Sequence, residues 1–141
     1  MLAAALEALA GDGLTVVAMG PAVRSEPIGP SIRRYANSAA VIETRLEPPA
    51  LLAALKRIER AFGRRARGRR WAARVLDLDV VLWSGGPFAE PGLVIPHPLF
   101  RERDFVLRPA ARIAGHWRDP VTGLTVRQLH ARLTRPRPVR R

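Results

Sequence analysis

The run Val75-Leu76-Asp77-Leu78-Asp79-Val80-Val81-Leu82 constrains this chain more than any other feature, because it reads as an apolar strand interrupted by two carboxylates. Side chains alternate between the faces of a strand, so Leu76, Leu78, Val80 and Leu82 enter a core while Asp77 and Asp79 point together the other way. Two carboxylates about 5 to 7 Å apart on a half-buried surface repel each other and lose hydration, and a shared proton or divalent cations relieve that. Directly before the strand lies an arginine loop, residues 64–74, with six arginines in eleven residues: Arg64, Arg65, Arg67, Arg69, Arg70 and Arg74. Guanidinium groups are forked donors that stay charged and match phosphate oxygens, so the combination points to metal and phosphate.

The formal net charge of +12 would suit nucleic acid. Only Lys56 among the 24 basic residues is a lysine, however, and so one-sided a use of arginine also fits plain compositional bias. Single-strand binders interleave aromatics with basic residues, and the arginine loop offers only Trp71, so nucleic acid is disfavoured as a partner. With no cysteine there are neither disulfides nor thiolate metal sites. The N-terminus has no basic stretch before its apolar run, and no run approaches the roughly 20 residues of a membrane span, so a cytoplasmic protein without a membrane partner is expected. A monomer is the working expectation, which no feature of the sequence decides.

At 141 residues the chain fits one domain, taken as residues 1–134, followed by an Arg/Pro tail over residues 135–141 that reads as disordered. Leu2, Leu6 and Leu9 are spaced for a helix over residues 2–10, stopped by Gly11. Leu14 to Val23 is β-rich, broken at Gly20-Pro21, and Tyr35 to Leu46 alternates, which predicts an antiparallel hairpin joined through Glu26-Pro27-Ile28-Gly29-Pro30. Leu51, Leu52, Leu55, Ile58 and Phe62 follow helical spacing from Pro48 to Phe62, with prolines in the first turn and Gly63 as the end. The Asp77/Asp79 strand stops at Ser84-Gly85-Gly86-Pro87. Short helices follow, one marked by Val126, Leu129 and Leu133. The order is that of an α+β domain with helices on one sheet face.

Several segments in this order resemble the signature of the 6-hydroxymethyl-7,8-dihydropterin pyrophosphokinase family. They are Arg70-Trp71 with Arg74-Val75-Leu76-Asp77-Leu78-Asp79, Ile95-Pro96-His97-Pro98, and Arg101-Glu102-Arg103-Asp104-Phe105-Val106-Leu107. Pro27-Ile28-Gly29-Pro30, Tyr35-Ala36-Asn37-Ser38 and Arg57-Ile58-Glu59 add to the likeness, which spans about residues 1 to 120. The resemblance implies a ferredoxin-like βαββαβ sandwich with an extra C-terminal helical segment. It also implies transfer of the β,γ-pyrophosphoryl group of ATP to the hydroxymethyl oxygen of the dihydropterin, releasing AMP, in folate biosynthesis. The family opens with a strand and a Gly-Ser-Asn loop that have no counterpart here, which leads to the expectation that the first strand is missing and that Met1 is an internal or misassigned start.

The resemblance further implies two Mg²⁺ ions on Asp77 and Asp79, with ATP as co-substrate. Arg64 and Arg74 would act in catalysis, and Arg70, Arg74, His97 and Arg103 would contact ATP phosphates. Tyr35 and Phe105 would stack on the pterin, Asn37 would hydrogen-bond its edge, and Ile28 and Trp71 would line it. Plainer readings stand beside these. An Asp-x-Asp pair occurs on ordinary surface strands, His97 could bond a loop carbonyl, and Tyr35, Asn37 and Phe105 could belong to a core. Glu59 is open between pairing with a neighbouring arginine and a place in the site. His116 and His130 read as structural. An inactive truncated remnant of the enzyme and a small basic nucleic-acid-binding protein are the alternative functions. Neither a Gly-x-x-x-x-Gly-Lys-Ser/Thr loop nor a Gly-rich kinase loop is present, so an unrelated nucleotide-binding scaffold is disfavoured.

Overall fold

Strand β1 (Thr15–Met19) and strand β2 (Val23–Ser25) are two halves of one extended stretch, separated where Gly20-Pro21-Ala22 interrupts the ladder. Proline has no amide to donate, so a break there is dictated locally. The returning stretch is broken to match, into β3 (Tyr35–Asn37) and β4 (Ala40–Glu43). β2 pairs antiparallel with β3, with Val23 opposite Asn37, Arg24 opposite Ala36 and Ser25 opposite Tyr35, and β1 neighbours β4. The expected hairpin is therefore present as an interrupted one. Across the break the Gly20 amide donates to the Ala39 carbonyl at 2.8 Å and the Ser38 hydroxyl donates to the Gly20 carbonyl at 2.8 Å. The computed structural model describes residues 13–25, 35–66 and 76–136. The helix expected over residues 2–10, most of the arginine loop and nearly all of the tail lie outside those residues.

Helix α1 (Pro48–Ala66) turns Leu51, Leu55, Ile58 and Phe62 onto one side. Leu51, Leu55 and Ile58 form the buried centre of a hydrophobic cluster with Leu14 and Leu76, against which Phe62, Val16, Ile42, Leu46, Leu78 and Val80 are packed. The helix does not stop at Gly63. It continues to Ala66, so the backbone of Arg64 and Arg65 is helical and not part of a loop. Nothing lies within 4 Å of where a Gly63 Cβ would stand. This glycine occupies an open helical position and is not a cap.

Residues 76–80 keep the expected alternation, with Leu76 buried, Asp77 and Asp79 exposed, and Leu78 and Val80 half-buried, whereas Val81, Leu82 and Trp83 are all half-buried. They belong to no ladder among the described strands, which corrects the expected strand assignment. The backbone groups are served in other ways: the Leu78 amide donates to Glu59 Oε1 at 2.8 Å, and the Val81 carbonyl accepts from the His97 amide at 3.0 Å. Downstream, β5 (Phe88–Glu90) and β6 (Leu93–Ile95) make a hairpin with Phe88 opposite Ile95 and Glu90 opposite Leu93. Pro91-Gly92 joins them, and Gly92 has φ +86°, the conformation a type II turn demands after proline. This hairpin was not anticipated, although the Pro-Gly dipeptide between apolar runs signals it.

A 3₁₀ turn (Phe100–Glu102) leads into α2 (Asp104–Ala114), and α3 (Val126–Thr134) follows. α2 packs on α3 and on β2. Phe100, Leu107, Val126 and Leu129 are buried, whereas Leu133 is 39% exposed and does not join the core as its spacing suggested. α3 begins with a reciprocal cap: the Gln128 amide donates to Thr125 Oγ1 at 3.1 Å and the Thr125 amide donates to Gln128 Oε1 at 2.9 Å. A Cβ on Gly20 would stand 2.8 Å from the Pro109 carbonyl oxygen of α2, so only glycine permits that approach.

By its packing the chain forms two compact units. One holds Met1–Val17 with Ile42–His97, the other Ala18–Val41 with Pro98–Arg141. The first contains α1, the Asp77/Asp79 segment and the β5–β6 hairpin. The second contains β2, β3, the 3₁₀ turn, α2 and α3. The observed class is a small α+β fold with short strands and helices, as expected.

Candidate active site

In the first unit the apolar side of residues 76–80 is fixed by α1 through the core cluster. Since side chains alternate, packing Leu76, Leu78 and Val80 inward leaves Asp77 and Asp79 together on the outer side. Both are exposed, not on a half-buried surface as expected. Water screens such a pair, so mutual repulsion alone does not demand a counter-cation. What remains is the chemistry of the two ligands. Two hard carboxylates with an open side suit Mg²⁺, which takes few protein ligands and completes its octahedron with phosphate oxygens and water. Among the described residues no group of three or more His, Asp or Glu side chains could hold a metal without such help.

Glu59 resolves as a support for this segment. Its side chain, 16% exposed, takes the Leu78 amide on one oxygen and Lys56 Nζ on the other at 3.3 Å. The peptide N–H between the two aspartates is thus held by a carboxylate from α1. His97 follows β6 and is half-buried, and its amide bond to Val81 ties it to the same extended segment. The structure therefore brings Asp77, Asp79 and His97 onto adjacent stretches of backbone.

In the second unit, Asn37 ends β3 and is half-buried, and Tyr35 opens the same strand. Arg103 precedes the first turn of α2, and its guanidinium carbon lies 5.7 Å from the centroid of the Phe105 ring. Cation and ring attract electrostatically at that distance. The expected phosphate ligand and the expected stacking residue are thus one pair. Asp104, at the positive end of α2, bridges Arg108 Nη2 at 2.6 Å and His130 Nε2 at 3.3 Å, which gives His130 the structural role expected of it. Arg64 lies on α1 by its backbone, while Ile28, Arg70, Trp71 and Arg74 are outside the described residues.

Sequence reasoning passed over Asp119. It is wholly buried and accepts a forked pair of bonds from Arg101, with Nε to Oδ2 at 2.5 Å and Nη2 to Oδ1 at 2.7 Å. The Arg101 hydrogen bond holds this carboxyl well below the usual carboxylate range against the upward push of burial, and Thr122 and the Val121 amide help.

Two exposed carboxylates on an α+β scaffold, with a tethered histidine beside them, define a candidate metal-dependent phosphoryl-transferring site. Residues 1–115 match the family model for 7,8-dihydro-6-hydroxymethylpterin-pyrophosphokinase. The chain is similar to a 2-amino-4-hydroxy-6-hydroxymethyldihydropteridine pyrophosphokinase of Methylorubrum extorquens, 42% identical over 135 residues, which cover 94% of this chain and 84% of that protein. A protein of the same name from Synechocystis sp. is 42% identical over 106 residues, 75% of this chain and 54% of that one. The folate synthesis bifunctional protein of Arabidopsis thaliana is 34% identical over 112 residues, 79% of this chain and 23% of that protein. The chain therefore spans most of the first relative and about half of the second. It belongs to the 7,8-dihydro-6-hydroxymethylpterin-pyrophosphokinase family.

Proposed function

We propose that this chain transfers pyrophosphate from ATP to the hydroxymethyl group of 6-hydroxymethyl-7,8-dihydropterin, releasing AMP, as a step in folate biosynthesis. In this reaction the hydroxymethyl oxygen attacks the β-phosphorus, the bond from that phosphorus to the α,β-bridging oxygen breaks so that this oxygen leaves with AMP, and the hydroxyl proton passes to water. Such transfers rest on positioning and charge neutralisation more than on covalent help from the protein. The observation that carries the reading is the paired outward placement of Asp77 and Asp79 with the His97 amide tied to Val81.

Asp77 and Asp79 would hold Mg²⁺, two ions by family resemblance, which when bound neutralise charge on the β- and γ-phosphate oxygens. His97 and Arg103 donate to phosphate oxygens, as do Arg70 and Arg74, with Arg64 and Arg74 the arginines assigned to catalysis. Tyr35 and Phe105 stack on the pterin, Asn37 bonds its donor–acceptor edge, and Ile28 and Trp71 line it. A ring stacked on Phe105 uses the face opposite Arg103 or displaces that guanidinium, since 5.7 Å leaves no room between them. The resemblance extends to a ferredoxin-like arrangement of the strands.

The test is a product assay on this chain with ATP, Mg²⁺ and the dihydropterin. AMP and the pterin diphosphate are expected to form one for one, and only when the pterin is present. Formation of ADP, or AMP release independent of the pterin, would overturn the assignment.

A further inference from the structure

We infer that Asp119 is a positioning residue for this enzyme: acting through Arg101, it fixes the Phe100–Glu102 turn that delivers Arg103 and Phe105. The inference rests on the function proposed above. Asp119 has no solvent exposure, and its two oxygens take four bonds, two from Arg101, one from the Val121 amide at 3.0 Å and one from Thr122 Oγ1 at 2.7 Å. Its own backbone closes the surrounding loop, the amide donating to Leu124 and the carbonyl accepting from Gly123, each at 2.8 Å. The acceptor is thus held by its own loop as well as by Arg101.

A forked guanidinium–carboxylate pair fixes direction as well as distance. Arg101 lies over the buried Phe100 ring at 4.7 Å and two residues before Arg103. The Arg103 carbonyl in turn accepts the Val106 and Leu107 amides, each at 3.0 Å, which starts α2 and sets where Phe105 leaves the helix. The arginines divide the work: Arg101 is committed to Asp119, while Arg103 makes no ion pair among the described residues and keeps its charge for a ligand. Apolar residues of similar volume generally stabilise a fold as well as a buried ion pair does, so the specific return here is geometry.

The experiment compares Asp119→Asn, Arg101→Lys and the apolar double replacement Arg101→Met with Asp119→Leu in the full chain. Steady-state kinetics are run well below each melting midpoint. Asp119→Asn is expected to raise the KM for the dihydropterin about tenfold while kcat stays within about twofold, the signature of misplaced binding groups. Arg101→Lys keeps the charge but not the fork, and moves KM the same way by less. The apolar pair recovers the melting temperature but not the KM. Wild-type KM in the apolar pair, or in a folded Asp119→Asn, would show a purely structural residue and overturn the inference. A wild-type chain that releases no AMP counts against the proposed reaction instead. The inference is then read from a crystal structure of Asp119→Asn, where an unmoved Arg103 and Phe105 would overturn it.

Discussion

Asp77→Asn is expected to lower pterin-dependent AMP release roughly a thousandfold, and Asp79→Asn to do the same, because each would replace a carboxylate proposed to hold Mg²⁺ by a neutral amide of equal size. Metal neutralisation of phosphate charge is worth several kcal/mol in such reactions, and about 4 kcal/mol corresponds to three powers of ten. Both side chains are exposed and on the side opposite the packed Leu76, Leu78 and Val80, so neither substitution opens a cavity. The folding stability is expected to change by no more than about 0.5 kcal/mol, as for surface positions in general. Turnover measured with saturating ATP and varied Mg²⁺, together with thermal unfolding, checks both halves. Rates within about threefold of wild type would remove the metal role, since a threefold change is well below 1 kcal/mol.

The largest effect on stability is expected from Phe100→Ala. Phe100 is 1% exposed, and its ring also carries the Arg101 guanidinium on one face. Deleting a buried aromatic ring costs about 3 to 5 kcal/mol, the sum of lost transfer energy and an unfilled cavity. Chemical denaturation should show that loss with an unchanged slope against denaturant. A loss below about 1 kcal/mol would mean that the ring is not enclosed as described.

Periodicity made the apolar face of α1 legible, because Leu51, Leu55, Ile58 and Phe62 need only helical spacing to share a side. The hairpin was legible with its break, since Gly20-Pro21 cannot continue a ladder. Where α1 ends was not: Gly63 reads as a cap by type, yet nothing crowds it and the turn simply continues. The alternation at residues 76–80 was read correctly, but whether a ladder forms depends on partners elsewhere in the chain. The same holds for exposure, which is why Asp77 and Asp79 proved more open than their neighbours suggested. Glu59 could not be settled from sequence because the group it serves is a backbone amide 19 residues away. Asp119 carried no motif, and its partner Arg101 stands 18 residues back in an unrelated turn. Contacts of that kind are set by tertiary packing, which local pattern does not encode. The β5–β6 hairpin was different, for Pro91-Gly92 did announce it.

One structure would test the metal and nucleotide assignment most directly. Because the bond broken lies between the α- and β-phosphorus atoms, the suitable ligand is ATP with a methylene group in the α,β-bridging position, crystallised with Mn²⁺ in place of Mg²⁺. The account predicts anomalous density for manganese within about 2.5 Å of carboxylate oxygens of both Asp77 and Asp79, with β- and γ-phosphate oxygens completing the coordination. Manganese and triphosphate bound together at any other part of the chain would contradict it.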